Sequence, residues 1–143
     1  MAFCRDTPPS TIASLHDKRI LEEYCMNIQK ITTRYVIGFL LVGLLGFVPR
    51  ITVNGYLLGV FKTDAFHILI YVSTGLLGFW AMTSFLRARL FLRLCGLFYV
   101  GIAIAGFVNG GVVGPMVVNV ADNIAHLICG SFALYVGFAR RPE

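Results

Sequence analysis

The chain has 143 residues with a formal net charge of +5; 57% of them are hydrophobic, only 13% are charged, and the mean hydropathy is +0.79. A typical soluble domain has about 25% charged residues, and a protein of this size cannot bury so large an apolar fraction. We therefore exclude a soluble globular enzyme, a disordered tail and, since no basic run contains interleaved aromatic residues, a nucleic-acid-binding protein.

The N-terminal part is the only extended polar region. Residues 1–30 are predicted to be a cytoplasmic tail, and residues 31–143 to form the membrane domain. From Ser10 onward the apolar spacing favours a short amphipathic helix, and Met26 is an alternative start just before the first apolar segment.

Four apolar segments follow, each close to the ~20 residues that a helix needs to cross a ~30 Å hydrocarbon core. They cover about residues 31–48, 65–86, 90–108 and 120–139. Helices are the expected spans, because backbone groups in lipid need hydrogen-bond partners within their own segment. The predicted fold is all-α, an integral membrane four-helix bundle.

The basic residues predict the orientation of this bundle. Both ends of the chain and the segment between helices two and three must share one side of the membrane, and they hold ten of the twelve Lys and Arg residues. The other side has only Arg50 and Lys62. Because basic residues concentrate in the cytoplasm, we expect a multi-pass protein of the inner (plasma) membrane with both termini cytoplasmic.

The two loops on the opposite side are unusually apolar. Residues 50–63 and 109–122 contain more Val, Leu and aromatic residues than exposed loops normally do. We expect them either to lie along the membrane interface, where aromatic side chains are favoured, or to fold back over the mouth of the bundle.

Each half of the chain contains Gly-Phe-Val and Val-Asn-Gly, followed by an acidic or amide residue three positions before a histidine. In the first half this acidic residue and histidine are Asp64 and His67, and in the second half the amide residue and histidine are Asn123 and His126. These matches predict a tandem repeat of a two-helix hairpin, with the two copies related by an axis along the membrane normal.

Small residues at helical spacing predict close packing between the helices, because they let backbones approach each other in lipid. We expect this role for seven glycines, Gly43, Gly46, Gly78, Gly101, Gly106, Gly130 and Gly137.

Five polar residues in or beside the spans form a candidate site, namely Asp64, His67, Asp122, Asn123 and His126. Both histidines are expected near the non-cytoplasmic ends of helices two and four, each sharing a helix face with an acidic or amide residue. In a structural interpretation, Asp64 and Asn123 are N-caps and the histidines hydrogen-bond within or between hairpins. In a functional interpretation, ionisable residues inside a membrane mark a site.

The order of these motifs resembles an uncharacterised bacterial family of four-helix membrane proteins, domain of unknown function 4383. The resemblance covers about residues 33–138 and rests on the Gly-rich end of helix one, both histidine motifs and the arginines at 89–93. In one departure, Tyr71 stands in the first copy where the second has Gly130. The resemblance implies topology and membrane location but no activity.

The function predicted from the sequence is that of a non-enzymatic membrane protein that interacts with lipids, with a membrane-protein partner or with a second copy of itself. No hydrolase, metalloprotease or phosphate-loop motif occurs, so we assign no catalytic residue, cofactor or metal. One alternative is a redox subunit in which His67 and His126 ligate haem or a metal. Another is a small transporter or proton relay, which needs a continuous polar path. A lipid or quinone headgroup site at the histidines is a further possibility.

Overall fold

The computed structural model describes residues 15–139, which form four helices and five short strands. The helices are α1 (Leu15–Leu45), α2 (Ala65–Ala81), α3 (Phe85–Val108) and α4 (Val120–Phe138). The strands are β1 (Thr52–Val53), β2 (Tyr56–Leu57), β3 (Phe61–Lys62), β4 (Val112–Val113) and β5 (Met116–Val117). The chain is thus an all-α four-helix fold, as its hydropathy predicts.

Three of these helices, α1, α3 and α4, are long and apolar enough to cross a membrane. Helix α2 is apolar but shorter, with 17 residues, so that its length of about 26 Å falls just below a ~30 Å hydrocarbon core. Its predicted end at residue 86 is wrong. The helix ends at Ala81, and Ser84 adopts an extended backbone as the N-cap of α3, so the arginines that follow lie on α3 and not in a loop.

Helix α1 begins well before the first apolar segment and runs without interruption from Leu15. Its polar first half belongs to the bundle, because Cys25 and Ile28 are buried in a cluster with residues of α3 and α4 that includes Leu92 and Val136. Packing therefore reaches into the segment predicted to be a tail. The rest of that segment, residues 1–14, lies outside the described residues, as do residues 140–143.

The helices pack as two hairpins, α1 against α2 and α3 against α4, and glycine permits the close approach in both. An added Cβ on Gly75 would lie 2.5 Å from Cδ2 of Leu40. One on Gly130 would lie 2.9 Å from the backbone nitrogen of Val100. Such tight neighbours surround six of the seven glycines predicted to pack, Gly43, Gly46, Gly78, Gly106, Gly130 and Gly137.

Gly101 does not have the predicted packing role. It lies exposed on α3, and a Cβ built there would meet nothing within 4 Å. The prediction was wrong because a small-xxx-small step does not specify which side of the helix faces a neighbour.

Two arginines of α3 donate hydrogen bonds to carbonyl oxygens at the end of α4. Nε of Arg89 and Nε of Arg93 both donate to the carbonyl of Gly137, at 2.9 and 2.7 Å, and Arg89 Nη2 donates to the carbonyl of Ala139 at 2.8 Å. The Tyr24 hydroxyl donates to the same Ala139 oxygen at 2.8 Å. The last carbonyls of a helix lack intrahelical partners and carry partial negative charge, so these contacts satisfy them and bring α1, α3 and α4 together at the basic end.

The opposite end carries two small antiparallel sheets, β1–β2–β3 and β4–β5. Asn54 and Gly55 both have positive φ, 53° and 75°, as a tight two-residue hairpin turn requires. These strands were not predicted, although Asn-Gly between β-branched and aromatic residues is a hairpin signal. Leu57 and Met116 are buried beneath the sheets, so the loops fold back over the mouth of the bundle, one of the two expected positions.

We predict that Gly130→Val lowers the free energy of unfolding by about 1–3 kcal/mol, because the new side chain would overlap the backbone of Val100 and overpacking carries that cost. Thermal unfolding of the detergent-solubilised protein measures the effect. Gly101→Val, in open space on α3, is the matched control and should be nearly neutral. Equal destabilisation by both variants would contradict the packing assignment.

Candidate functional site

The two histidines meet inside the bundle. His67 lies in the first turn of α2 and His126 almost two turns into α4, and they are only 1% and 5% exposed. Their ring centroids are 6.3 Å apart and the rings are nearly parallel, with an interplanar angle of 15°. The structure therefore brings together the two residues that the sequence singles out.

Asp64 holds the start of α2 and also contacts the other hairpin. Its Oδ1 accepts the backbone N–H of His67 at 2.9 Å, which makes it the N-cap, and its Oδ2 accepts the backbone N–H of Val117 at 3.2 Å. Burial alone would raise the pKa of Asp64, but these two N–H donors and the nearby imidazole lower it below its usual value. Asp64 is therefore ionised, with Oδ2 3.4 Å from Nδ1 of His67.

Asp122 plays a corresponding part at the start of α4. Its Oδ2 accepts the backbone N–H of Asn119 at 2.8 Å, while Asn119 accepts the N–H of Asp122, and the two form a capping box. The same Oδ2 accepts the backbone N–H of Lys62, in the first sheet, at 3.1 Å. Each carboxylate thus caps its own helix and binds the loop of the other hairpin.

The predicted N-cap of α4, Asn123, is wrong. The helix begins at Val120, so Asn119 is the cap and Asn123 lies within the first turns. Its buried Oδ1 points at α3, where a Cβ on Gly106 would collide with it. Asn123 therefore faces the α3 backbone, whereas Asp64, His67, Asp122 and His126 link the two hairpins.

Two tyrosines that sequence analysis did not select extend the polar cluster inward. The Tyr71 hydroxyl is hydrogen-bonded to Nε2 of His126 at 3.1 Å. The ring of Tyr99 lies 5.3 Å from that of His126, and its hydroxyl is hydrogen-bonded to Oγ1 of Thr74 at 3.0 Å. Tyr71 follows His67 by four residues and so shares its helix face, a spacing that could have identified it.

Several polar atoms of this cluster have no hydrogen-bond partner among the described residues. They are Nε2 of His67, Nδ1 of His126, and Oδ1 of Asp122 and of Asn123, all fully buried, while Nδ1 of His67 has only the 3.4 Å contact with Oδ2 of Asp64. A buried polar atom without a partner costs about 1–3 kcal/mol. A purely structural cluster would be expected to satisfy these atoms, so their concentration around the histidines marks a candidate site.

Two residues of the cluster, Tyr71 and His126, also line a groove between α1 and α4 that has a cavity volume of about 550 Å³. Tyr71 and His126 line the groove at the end covered by the first sheet, and Arg34 lines it at the other end. Between them the lining is apolar, and Gly38 and Ile128 are exposed at its open side. We call this the α1/α4 groove. A second groove, of about 530 Å³, lies between α2 and α3 and contains Thr74, Tyr99 and Arg87.

The His and Asp side chains of the cluster are not arranged as a metal centre. Within residues 15–139, no group of three or more His, Cys, Asp or Glu side chains is arranged to hold a metal ion. In addition, Nε2 of His126 already has a hydrogen-bond partner in Tyr71. A pair of imidazoles facing one iron is therefore not the arrangement that these residues adopt.

We predict that Asp122→Ala lowers the free energy of unfolding by about 2 kcal/mol or more, because it removes one side of the capping box and leaves the amides of Lys62 and Asn119 without an acceptor. Thermal unfolding measures the loss, and hydrogen exchange should become faster at the Lys62 amide. Glu23→Ala, at an exposed acidic position of α1, is the control. Unchanged exchange at Lys62 would argue against the cross-hairpin contact.

The family described as Domain of unknown function (DUF4383) matches the chain over residues 29–139. Searches of curated proteins and of solved structures gave no match. The matched region runs from the middle of α1 to the end of α4 and includes both histidines and both carboxylates. Because it covers well over half of the chain and confirms the resemblance of the motifs, the protein belongs to the DUF4383 family.

Proposed function

We propose that this is a non-enzymatic protein of the bacterial inner membrane that binds an amphiphilic membrane component in the α1/α4 groove. The observation that carries the proposal is the groove itself, whose apolar wall is open on the outside of the bundle and ends at the hydrogen-bonded pair of Tyr71 and the buried His126. Its volume of about 550 Å³ falls within the ~300–1,000 Å³ typical of small-molecule sites.

All four helices cross the membrane in this proposal, and both termini are cytoplasmic. In support, the basic residues of α3 lie at the end of the bundle where α1 begins and α4 ends. Two of them sit over aromatic rings, Arg87 over Trp80 at 4.7 Å and Arg93 over Phe138 at 4.5 Å. Paired cationic and aromatic side chains are typical of a membrane interface. An excess of basic residues is typical of the cytoplasmic side of the membrane.

The tandem repeat is also part of the proposal, with a register that differs from the one suggested by the histidine motifs. The N-caps Asp64 and Asn119 are aligned as equivalent positions of the two copies. In this alignment Tyr71 corresponds to His126, and Gly75 corresponds to Gly130. Both of these glycines sit where their helix approaches its hairpin partner most closely. In support of the same register, the amides of Lys62 and Val117 stand two residues before these caps, and each donates to a carboxylate of the other hairpin.

The two alternative functions have less support from the geometry. A metal held by three or more side chains has no matching group of ligands within residues 15–139, and a haem held by two imidazoles would compete with the hydrogen bond between Nε2 of His126 and Tyr71. A transporter or proton relay would need polar groups along the whole bundle, whereas the buried cluster at the basic end consists of apolar residues, among them Ile28, Leu92 and Val136.

The orientation is testable with cysteines introduced at the two ends. In intact cells, a membrane-impermeant maleimide should label Val60→Cys, in the exposed first sheet, and should label Thr83→Cys, in the α2–α3 turn, only after permeabilisation. The wild-type chain provides the background from its native cysteines. The reverse labelling pattern would overturn the proposed topology.

The groove is testable by filling it. Gly38 lines the groove and has nothing within 4 Å of an added Cβ, so Gly38→Phe should block the groove without straining the fold. We expect native mass spectrometry to show a co-purifying amphiphile bound to the wild type. The occupancy of this amphiphile on Gly38→Phe should be severalfold lower. Gly101→Phe, on the exposed side of α3, should retain it. Equal occupancy in both variants would contradict binding in this groove.

A further inference from the structure

The α1/α4 groove is lined by a continuous series of aromatic rings. Phe132 stacks on Tyr35 with centroids 6.3 Å apart, and Tyr35 is 6.0 Å from Phe39. Phe39 lies 6.1 Å from Tyr71, whose ring is 6.2 Å from that of His126. Faces and edges of aromatic rings favour planar, ring-bearing ligands, whereas a saturated acyl chain makes no use of that geometry.

The polar groups of the groove also distinguish between kinds of amphiphile. A phospholipid presents its charged headgroup at the membrane surface and only its acyl chains inside. Here the polar pair Tyr71 and His126 lies at the covered end of the groove, beneath Leu57 and Phe61 of the first sheet. An acyl chain would offer no hydrogen bond to Nδ1 of His126, which has no partner among the described residues, so the ligand should carry a polar group that enters the bundle.

The pair can donate a hydrogen bond to such a group. When the imidazole proton is on Nε2, His126 donates to the Tyr71 oxygen, and the Tyr71 hydroxyl is left to donate to a ligand carbonyl. Nδ1 of His126, which has no partner among the described residues, is then an acceptor. A planar ring with carbonyl or hydroxyl substituents matches this arrangement.

The length of the groove leaves room for a hydrophobic tail. Its α1 side runs from Arg34 to Leu45, a separation of eleven positions, or about 16 Å at 1.5 Å per residue. A ring at Tyr71 would place the tail along Phe39 and Gly38, where the groove is open on the outside of the bundle.

On these grounds, and resting on the proposed function, we propose that the occupant is a quinone with a hydrophobic tail, whose ring lies against Tyr71 and His126. The proposal concerns binding and assigns no electron transfer to the protein. No histidine lines the second groove, and it is not part of this proposal.

The test uses the full chain in detergent and decylubiquinone as the probe, with binding measured by native mass spectrometry and by the shift in melting temperature. We expect saturable binding to the wild type, about tenfold weaker binding to Tyr71→Phe, which loses one hydrogen bond to the ring, and loss of binding to Gly38→Phe. Tyr135→Phe, on the exposed face of α4 at 75% exposure, is the matched control and should bind as the wild type does.

The outcomes separate this inference from the proposed function. If a phospholipid occupies the groove in a Gly38-dependent manner and decylubiquinone does not bind, the quinone assignment is overturned and the proposed function stands. If decylubiquinone binds the wild type and Tyr71→Phe equally, the ring is not at Tyr71 and the inference fails. If neither amphiphile binds in a Gly38-dependent manner, both proposals fail.

Discussion

Two carboxylates link the two hairpins of this protein at the end of the bundle that the small sheets cover. Asp64 and Asp122 each cap one helix and accept a backbone N–H from the loop of the opposite hairpin. A partly buried carboxyl group that already accepts several N–H hydrogen bonds is costly to separate from these donors. These contacts therefore set how the hairpins dock, and the positions of the histidines, the sheets and the groove depend on them.

Glycine and aromatic residues make other contacts between helices, glycines within each hairpin and aromatic rings between the two hairpins. Within a hairpin, glycines such as Gly75 and Gly130 bring the helices into backbone contact, where dispersion and close packing replace the hydrophobic effect that lipid cannot supply. Between hairpins, rings such as Tyr35 and Phe39 occupy the interface and keep α1 and α4 apart. The tight contacts make the two units rigid, and the looser contact between units leaves the α1/α4 groove.

Sequence analysis selected the two histidines of the candidate site but not all of the residues that surround them. It selected His67 and His126, because a titratable residue in an apolar segment is conspicuous, and they do meet. It took Asn123 for a cap and did not select Tyr71, Tyr99 or Asn119. Capping depends on the residue at which the helix begins, and Asn123 lies four residues after the cap that α4 uses, Asn119.

The sequence by itself determined the helical fold, the approximate spans and the separation of basic residues to one end, because these follow from local hydropathy and charge along the chain. Only the tertiary structure decided that Gly101 faces outward, that the apolar loops fold as small sheets over the bundle, and that His126 pairs with Tyr71. Those outcomes depend on the rotation of each helix about its axis. That rotation is set by contacts between residues as distant in sequence as Lys62 and Asp122, which no local pattern contains.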